Sequence, residues 1–473
     1  MYYKSVHFQR RAGKHRWHFV RRPPLVHYFA QKTALRCQNF LPLPSGPTQE
    51  TWQIFLILLV SLSTLTTYPH PHNNGKHVKI PNPTLIPYET HQSYRQLFPH
   101  TEQGLIYLNH AAVSPLSTRV LKAQIAHLQD RSTGKIETYP DDVKQLEKTK
   151  GCIERLINAE SWERIALAGN TSDALNIVAA GLDWKPGDRI LLNDLEFPAN
   201  VYPYYHLKSH GVEIDVIHSS DGKLTAEMVY EALRPRTRLL ALSAVQFLSG
   251  YRSDLAVLGE LCRSRGILFV VDAMQAVGGM RIDVQEMKID AVAAGAPKWQ
   301  MGPQGIGFLY LTEELQSRVH QKYLGWLSVE NPWDFFNFDQ APATTARRYE
   351  GGTVNIPAMW GYHASLSTIL EIGPDVIESH ILSLTGALTR QFLDAGLTLY
   401  SPTDDQERAG IVTILPPKGV EASAAYEELA RERVLISARG GKLRYSPHFY
   451  NSIDEIRSAA AISLDVFARL SSR

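Results

Sequence analysis

Three short segments, each at the end of a predicted buried strand, contain side chains that could bind one ligand. Lys298 stands in AAGAPKWQMGPQGIG, after a short apolar strand. Asp272 ends ILFVVD, the most apolar strand of the sequence, and Asn170, Thr171 and Ser172 follow IALAG and open a helix. In open α/β sheets, ligands bind at the carboxyl ends of the strands. We therefore expect these side chains to share one cleft.

Each segment has a simpler structural interpretation when it is considered alone. The hydroxyls of Thr171 and Ser172 favour helix capping, although a helix N-terminus with free N–H groups is also a phosphate site. Asp272 is either a helix cap or a buried carboxylate that needs a cation. A loop lysine is generally solvated, but burial would lower the pKa of Lys298 and make its neutral amine a nucleophile.

No single structural alternative explains all three segments together. A phosphate cradle, a carboxylate for a protonated ring nitrogen and a lysine for a Schiff base are what pyridoxal phosphate requires from a protein. They occur in that order along the chain, at Thr171, Asp272 and Lys298. The sequence therefore predicts a pyridoxal-phosphate site at the strand ends.

The elements that must position these residues alternate between two periodicities. Helical patterns over 171–182, 225–233 and 254–265 lie between short apolar runs. The runs that read as strands are IYLN, IALAG, RILLN, VEIDVIH, RLLALSAV, ILFVVDA, AVAAG and GFLYL. This alternation predicts an α/β fold with a mostly parallel sheet and helices on both faces.

The pattern along the chain predicts three parts. Residues 88–340 contain the alternating elements and form the large α/β domain. A glycine-rich joint at 350–353 precedes a helical stretch at 358–372 and short strands near 410–415, 434–437 and 443–445, so 341–473 are predicted to form a smaller α+β domain. Residues 1–87 are predicted to be an N-terminal extension without a packed core.

The N-terminal extension is basic. It has no acidic residue from Met1 to Gln49, and its apolar run at 54–65 is too short to span a bilayer. We expect it to be disordered or a targeting segment, with a cytoplasmic protein as the first expectation and organellar import as the alternative. The formal net charge of +2 gives no reason to expect a nucleic-acid partner.

The three cysteines do not form a disulfide or metal pattern. Cys37, Cys152 and Cys262 contain no C-x-x-C pair, so no metal site and a reducing compartment are expected. Cys152 and Cys262 each fall in a helical pattern among leucine and isoleucine residues. We therefore predict that both are small core residues.

At these residues the sequence resembles the class V aminotransferase family of fold-type I pyridoxal-phosphate enzymes. That family includes cysteine desulfurases, kynureninase and proteins similar to isopenicillin N epimerase. The resemblance covers residues 107–451, and its specific segments are YLNHAAVSP, GNTSDALN, LEFPANVYP, VVDAMQAVGGMRIDV, GAPKWQMGPQGIGFLYL, YEGGTVN and LRYSPHFYNS. It implies a mostly parallel sheet of the seven-stranded type, followed by a smaller C-terminal α+β domain.

The resemblance implies a set of contacts with the cofactor. Thr171 and Ser172 would bind its phosphate, and Phe197 would stack on its ring. Gln275 would contact the phosphate or the phenolic oxygen, and Gln246 would lie near that oxygen.

The resemblance also implies the groups that carry the reaction. Asp272 would pair with the ring nitrogen, and Lys298 would form the Schiff base. Thr353 would reach the phosphate of a neighbouring subunit, so that a homodimer shares its active sites. Arg444 would bind the carboxylate of a small amino-acid substrate.

Departures from the desulfurase pattern affect the predicted reaction. Many cysteine desulfurases have histidines where this chain has Phe197 and Pro297, and they need a mobile cysteine late in the chain. No cysteine follows Cys262, and the segment before the carboxylate arginine reads SARGGKLR. The sequence thus favours α-proton abstraction from an amino acid by an epimerase, an aminotransferase, or a C–S or other β-lyase. A cysteine desulfurase and a non-catalytic regulatory protein that binds pyridoxal phosphate are the alternatives.

Overall fold

Apolar runs of strand length form the centre of the molecule in the computed structural model, which describes residues 86–472. All but the last two residues of the predicted N-terminal extension lie outside this range, and so do the residues on which the predictions of disorder and targeting depend. The strands are β1 (Ile106–Tyr107), β2 (Ile165–Ala168), β3 (Arg189–Asn193), β4 (Glu213–Ile217), β5 (Thr237–Ser243), β6 (Leu268–Asp272), β7 (Ala291–Gly295), β8 (Gly307–Leu311), β9 (Val412–Ile414), β10 (Val434–Leu435), β11 (Ser437–Arg439) and β12 (Lys442–Tyr445).

The α-helices of the described residues alternate with these strands and then dominate the C-terminal part. They are α1 (Tyr88–Arg95), α2 (Thr118–Thr133), α3 (Tyr139–Ile157), α4 (Thr171–Gly181), α5 (Tyr202–His206), α6 (Ala226–Ala232), α7 (Leu255–Arg265), α8 (Glu313–Arg318), α9 (Ile356–Ile372), α10 (Pro374–Asp394), α11 (Ala422–Arg431) and α12 (Ile453–Ser471). Among residues 86–472, no helix is both long and apolar enough to cross a membrane.

The main sheet has seven strands in the order β2, β8, β7, β6, β5, β3, β4. The neighbours from β7 through β4 pair in parallel, whereas β8 is antiparallel to both β7 and β2. Every residue of β6, β7 and β8 is buried, as expected of central strands with helices on both faces. The predicted mostly parallel α/β sheet is confirmed.

One predicted strand lies outside this sheet. The IYLN run forms β1, which pairs in parallel with β10 near the C-terminus instead of joining the other strands. Two residues are too few to make a core strand, and the polar Asn109 that follows forms only an isolated bridge to Ser446. The prediction that this run is a strand is confirmed, and its partner is a C-terminal strand outside the main sheet.

The C-terminal part contains the predicted mixture of helices and short strands. Strands β11, β12 and β9 form an antiparallel sheet, and α10, α11 and α12 pack against it with a shared apolar core. In the register of this sheet, Arg444 on β12 lies opposite Ser437 and Thr413. The division into two domains near residue 341 stays a prediction.

Candidate active site

A cavity of about 660 Å³ lies at the carboxyl ends of β2, β5, β6 and β7. It brings together seven of the residues that the sequence indicates. They are Thr171, Ser172, Phe197, Asp272, Gln275, Lys298 and Arg444. Two others, Gln246 and Thr353, do not line it. The cavity thus contains candidates for every part of the predicted site from this one chain.

One end of the cavity is the N-terminus of α4. Asn170 caps this helix, because its side-chain oxygen accepts the Asp173 N–H at 2.9 Å. The hydroxyls of Thr171 and Ser172 are therefore not needed as caps, and the first N–H groups of a helix have no partner within the helix. A Cβ at Gly295 would lie 3.3 Å from Thr171 Oγ1, so glycine keeps this corner open. Such a corner suits a phosphate.

Asp272 lies at the end of β6 and is 4% exposed. One of its oxygens accepts the Met274 N–H at 2.8 Å, and no ion-pair partner for Asp272 is found among the described residues. Burial raises the pKa of this carboxyl and the negative charge of Glu196 raises it further, while the Met274 hydrogen bond and the charge of Lys298 lower it. Because Asp272 does not cap a helix, its second oxygen can accept a hydrogen bond from a cationic ligand.

Lys298 follows β7 in the turn that the Gly- and Pro-rich segment predicts. Its Nζ lies 5.6 Å from the centroid of the Phe197 ring. Burial lowers the pKa of this amine, and Arg444 and Arg439 lower it further, against the opposing effect of Asp272. The amine therefore loses its proton more easily than that of an exposed lysine.

Gln275 is held in one orientation by two neighbours that the sequence did not indicate. Its Oε1 accepts the indole N–H of Trp299 at 2.8 Å, and its Nε2 donates to the Ala111 carbonyl at 3.1 Å. An indole nitrogen can only donate, so the amide cannot be reversed. Gln275 thus has one remaining N–H to offer in the cavity, which fits an anionic oxygen.

Gln246 does not line the cavity, and its predicted place near the phenolic oxygen stays a prediction. Its Nε2 donates to Glu196 Oε1 at 3.0 Å, and the side chain is 1% exposed. Glu196 is itself buried and precedes Phe197 in the turn after β3. A single sequence gives no signal for this arrangement, because a glutamate in a loop is generally solvated.

Arg444 forms the opposite end of the cavity and is 2% exposed. Its Nη1 donates to the Phe247 carbonyl at 2.6 Å, and its Nε donates to Ser437 Oγ at 3.2 Å. Among residues 86–472 it has no carboxylate partner, and the exposed Arg439 lies on the same cavity wall. Burial, with a smaller effect from Arg439, lowers the pKa of this guanidinium to about 10. Two neighbouring cations without an acid suit an anionic ligand.

Thr353 is exposed, in the segment between the short 3₁₀ helix at Ala346–Tyr349 and α9. The buried ion pair between Lys150 and Glu350, at 2.7 Å, fixes the start of this segment. Thr353 does not contribute to the cavity of its own chain. Its predicted contact with the phosphate of a neighbouring subunit stays a prediction.

Comparisons with known proteins define the class. The sheet and its helices are those of a fold-type I enzyme: the apo structure of a cysteine desulfurase from Thermococcus onnurineus NA1 superposes with a TM-score of 0.73 at 24% identity, over 80% of this chain and 98% of that chain. The family model "Aminotransferase class-V" matches residues 106–464. The chain belongs to the class V aminotransferase family.

Two relatives support the same conclusion. An uncharacterized aminotransferase of Bacillus subtilis, YcbU, is 30% identical over 368 residues, which are 78% of this chain and 96% of that protein. Isopenicillin N epimerase of Streptomyces clavuligerus is 30% identical over 332 residues, which are 66% of this chain and 82% of that protein. The predicted family is confirmed, and with it an enzyme whose cofactor is pyridoxal phosphate.

The donor set of the cavity fits this cofactor. A phosphate would meet the N-terminus of α4, a ring nitrogen would meet the buried Asp272, and the carbonyl group would meet Lys298. Asp272 supports the fit most directly, since a fully buried carboxyl without a cation is costly unless a ligand supplies one.

Proposed function

We propose that this enzyme removes the α-proton of a small free amino acid, with Lys298 as the cofactor lysine and proton acceptor. The reaction that follows is epimerisation, transamination or β-elimination of the C–S lyase type. One observation carries the proposal: Lys298, Asp272 and the unpaired Arg444 line one cavity.

In this proposal, one end of the cavity binds the cofactor and the other binds the substrate. Thr171, Ser172 and the α4 N-terminus would hold the phosphate, and Phe197 would cover one face of the ring. When bound, pyridoxal phosphate supplies an electron sink for the electrons that the substrate Cα–H bond leaves behind. Asp272 would keep the ring nitrogen protonated by hydrogen bonding.

Arg444 would orient the substrate through its carboxylate. A guanidinium offers a planar pair of N–H donors that matches a carboxylate in bidentate fashion. Two of its donors are held by Phe247 and Ser437, which fixes its plane. The neutral amine of Lys298 would then accept the α-proton, because its lowered pKa keeps it unprotonated more often than an ordinary lysine.

Burial of the described cysteines supports these reactions over cysteine desulfuration. Cys152 and Cys262 are 3% and 1% exposed and lie in α3 and α7, and neither lines the cavity. Burial also raises the pKa of the Cys262 thiol, which suppresses the nucleophilic thiolate. We expect no enzyme-bound persulfide after incubation with cysteine. Sulfur on either residue, detected by mass spectrometry, would favour the desulfurase.

Proton exchange tests the proposal independently of the final product. The holoenzyme is incubated in D₂O with a panel of amino acids, and the α-proton signal is followed by NMR. We expect exchange with at least one amino acid, and none with the Lys298→Ala variant. Product analysis with and without a 2-oxo acid then separates the three reactions. Absence of exchange across the panel contradicts the proposed function.

We also propose that the enzyme is a homodimer in which Thr353 contacts the phosphate held by the other subunit. Thr353 is exposed and does not line the cavity of its own chain, which supports this arrangement. Sedimentation of the holoenzyme should give a dimer, and Thr353→Val should weaken cofactor retention. A fully active monomer contradicts this proposal.

A further inference from the structure

Glu196 is a buried carboxylate, 7% exposed, that has no ion-pair partner among the described residues. Its charge is compensated only by hydrogen-bond donors. Oε1 accepts from the side chain of Asn193 at 2.7 Å, from the N–H of Ser243 at 2.8 Å and from Gln246 at 3.0 Å. Oε2 accepts from Asn200 at 3.0 Å and from the Ser243 hydroxyl. Five hydrogen-bond donors thus converge on the two oxygens of this buried carboxyl group.

These hydrogen bonds join two segments that form a wall of the cavity. Glu196 precedes Phe197, whereas Ser243 and Gln246 belong to the segment that leads to Phe247. The rings of Phe197 and Phe247 contact each other edge to face at 5.4 Å, and both line the cavity. Phe197 is 47% exposed, so its own packing does little to fix its position. Glu196 therefore holds the backbone on both sides of this aromatic pair.

The same carboxylate acts on Asp272. Ser243, which binds Glu196, pairs with Asp272 on the neighbouring strand. Glu196 therefore lies close to the end of β6. The groups that face Asp272 are Glu196 from the turn after β3, Lys298 from the turn after β7, and the buried Tyr204 of α5. Of these, Glu196 supplies a second negative charge. Because a neighbouring negative charge disfavours loss of a proton, Asp272 and a ring nitrogen paired with it would keep their shared proton to higher pH.

We infer that Glu196 is a positioning residue of the cofactor site, which holds the Phe197–Phe247 wall and keeps a proton between Asp272 and the ring nitrogen. Glu196 touches neither the cavity nor a reacting atom, so it acts through these neighbours. This role rests on the proposed function, because it presupposes that the ring nitrogen pairs with Asp272.

The test uses Glu196→Gln, which keeps the shape but removes the charge and places an NH₂ group among donors. The affinity of the apoenzyme for pyridoxal phosphate is measured by fluorescence titration over a range of pH. We expect roughly a tenfold weaker affinity at neutral pH, as for the loss of a charge-assisted hydrogen bond. We also expect the alkaline midpoint of binding to move to lower pH by about one unit.

Asp290→Asn is the matched control, because Asp290 is a buried carboxylate at the opposite end of the sheet, where it accepts the Phe269 N–H. This variant should leave the alkaline midpoint unchanged. If Glu196→Gln does not fold, Asn200→Leu removes one donor to Glu196 and should weaken cofactor affinity in the same direction by a smaller factor. An alkaline midpoint equal to that of the parent in folded Glu196→Gln overturns the inference, as does unchanged affinity in Asn200→Leu when Glu196→Gln does not fold. Failure of the parent to bind pyridoxal phosphate instead overturns the proposed function.

Discussion

The two ends of the cavity belong to different sheets. The end with Asp272, Lys298 and Thr171 is formed by turns that follow β6, β7 and β2 in the main sheet. The end with Arg444 belongs to the antiparallel sheet of β11, β12 and β9. Under the proposed function, the first end would bind the cofactor, whereas the second would offer a cation to a free carboxylate. Substitutions at the first end should therefore stop the reaction, whereas substitutions at the second end should weaken only the binding of the substrate.

The largest effect is expected at the cofactor end, from Lys298→Ala. Removal of this amine abolishes covalent attachment of the cofactor and the proton acceptor together. We expect turnover to fall by about 10³-fold or more, as for other residues that act as a unit with the reacting group. Steady-state kinetics with the best substrate measures this loss. A Lys298→Ala variant within tenfold of the parent contradicts the assignment.

Asp272→Asn should lower kcat by less than Lys298→Ala does, on the order of 10²-fold. An amide cannot hold the ring nitrogen protonated as a carboxylate does, although it preserves the shape of the site. Circular dichroism should show an intact fold, since the Met274 N–H still finds an oxygen acceptor. Near-normal turnover in this variant would show that Asp272 only organises the turn after β6.

Arg444→Ala tests the other end of the cavity. Loss of a charge-assisted hydrogen-bond pair costs about 1.5–3 kcal/mol, or roughly 10- to 150-fold in kcat/KM. The absorption spectrum of the bound cofactor should not change, and Arg444→Lys should restore activity only in part. Substrates with an amidated carboxyl should react equally with parent and variant. If free amino acids react equally well too, Arg439 is the next candidate.

The pH dependence of cofactor capture follows from the lowered pKa of Lys298. Only the neutral amine attacks the cofactor, so the rate constant should rise about tenfold per pH unit below that pKa. It should then level off well below the ordinary lysine value of 10.5. Stopped-flow mixing of apoenzyme with pyridoxal phosphate measures this profile. A rate that continues to rise up to pH 10.5 indicates an unshifted, solvated lysine.

The smallest effect is expected from Phe197→Ala. Aromatic stacking contributes about 0.5–1.5 kcal/mol beyond the area that it buries, which corresponds to a roughly 2- to 10-fold weaker affinity for the cofactor. Equilibrium dialysis of the variant and the parent compares their dissociation constants. Unchanged affinity would place the ring beside the cofactor without contact.

The same two ends differ in how far the sequence alone predicts them. Asp272 and Lys298 lie at or after the ends of strongly apolar strands. Because the carboxyl ends of parallel strands lie at the same edge of a sheet, the proximity of the two residues was predictable from the local sequence pattern. Arg444 lies on a short strand of a small antiparallel sheet, for which no comparable rule exists. Its place was known only from the resemblance to the family.

Residues behind the wall were not predictable from one sequence. Gln246 was expected near the phenolic oxygen from the resemblance to the family, and the hydrogen bond by which its amide binds the buried Glu196 was not foreseen. The capping of α4 by Asn170, rather than by Thr171 or Ser172, likewise depends on a one-residue choice among similar polar side chains. Such choices are decided by tertiary hydrogen bonds, which no local pattern encodes.

Borohydride reduction of the parent holoenzyme, followed by peptide mapping, identifies the lysine that holds the cofactor. Reduction fixes the cofactor on the lysine that carries it, and mass spectrometry locates the added mass. We expect one stable adduct, on the peptide that contains Lys298. An adduct on another lysine, with Lys298 unmodified, would show that Lys298 is not the cofactor lysine.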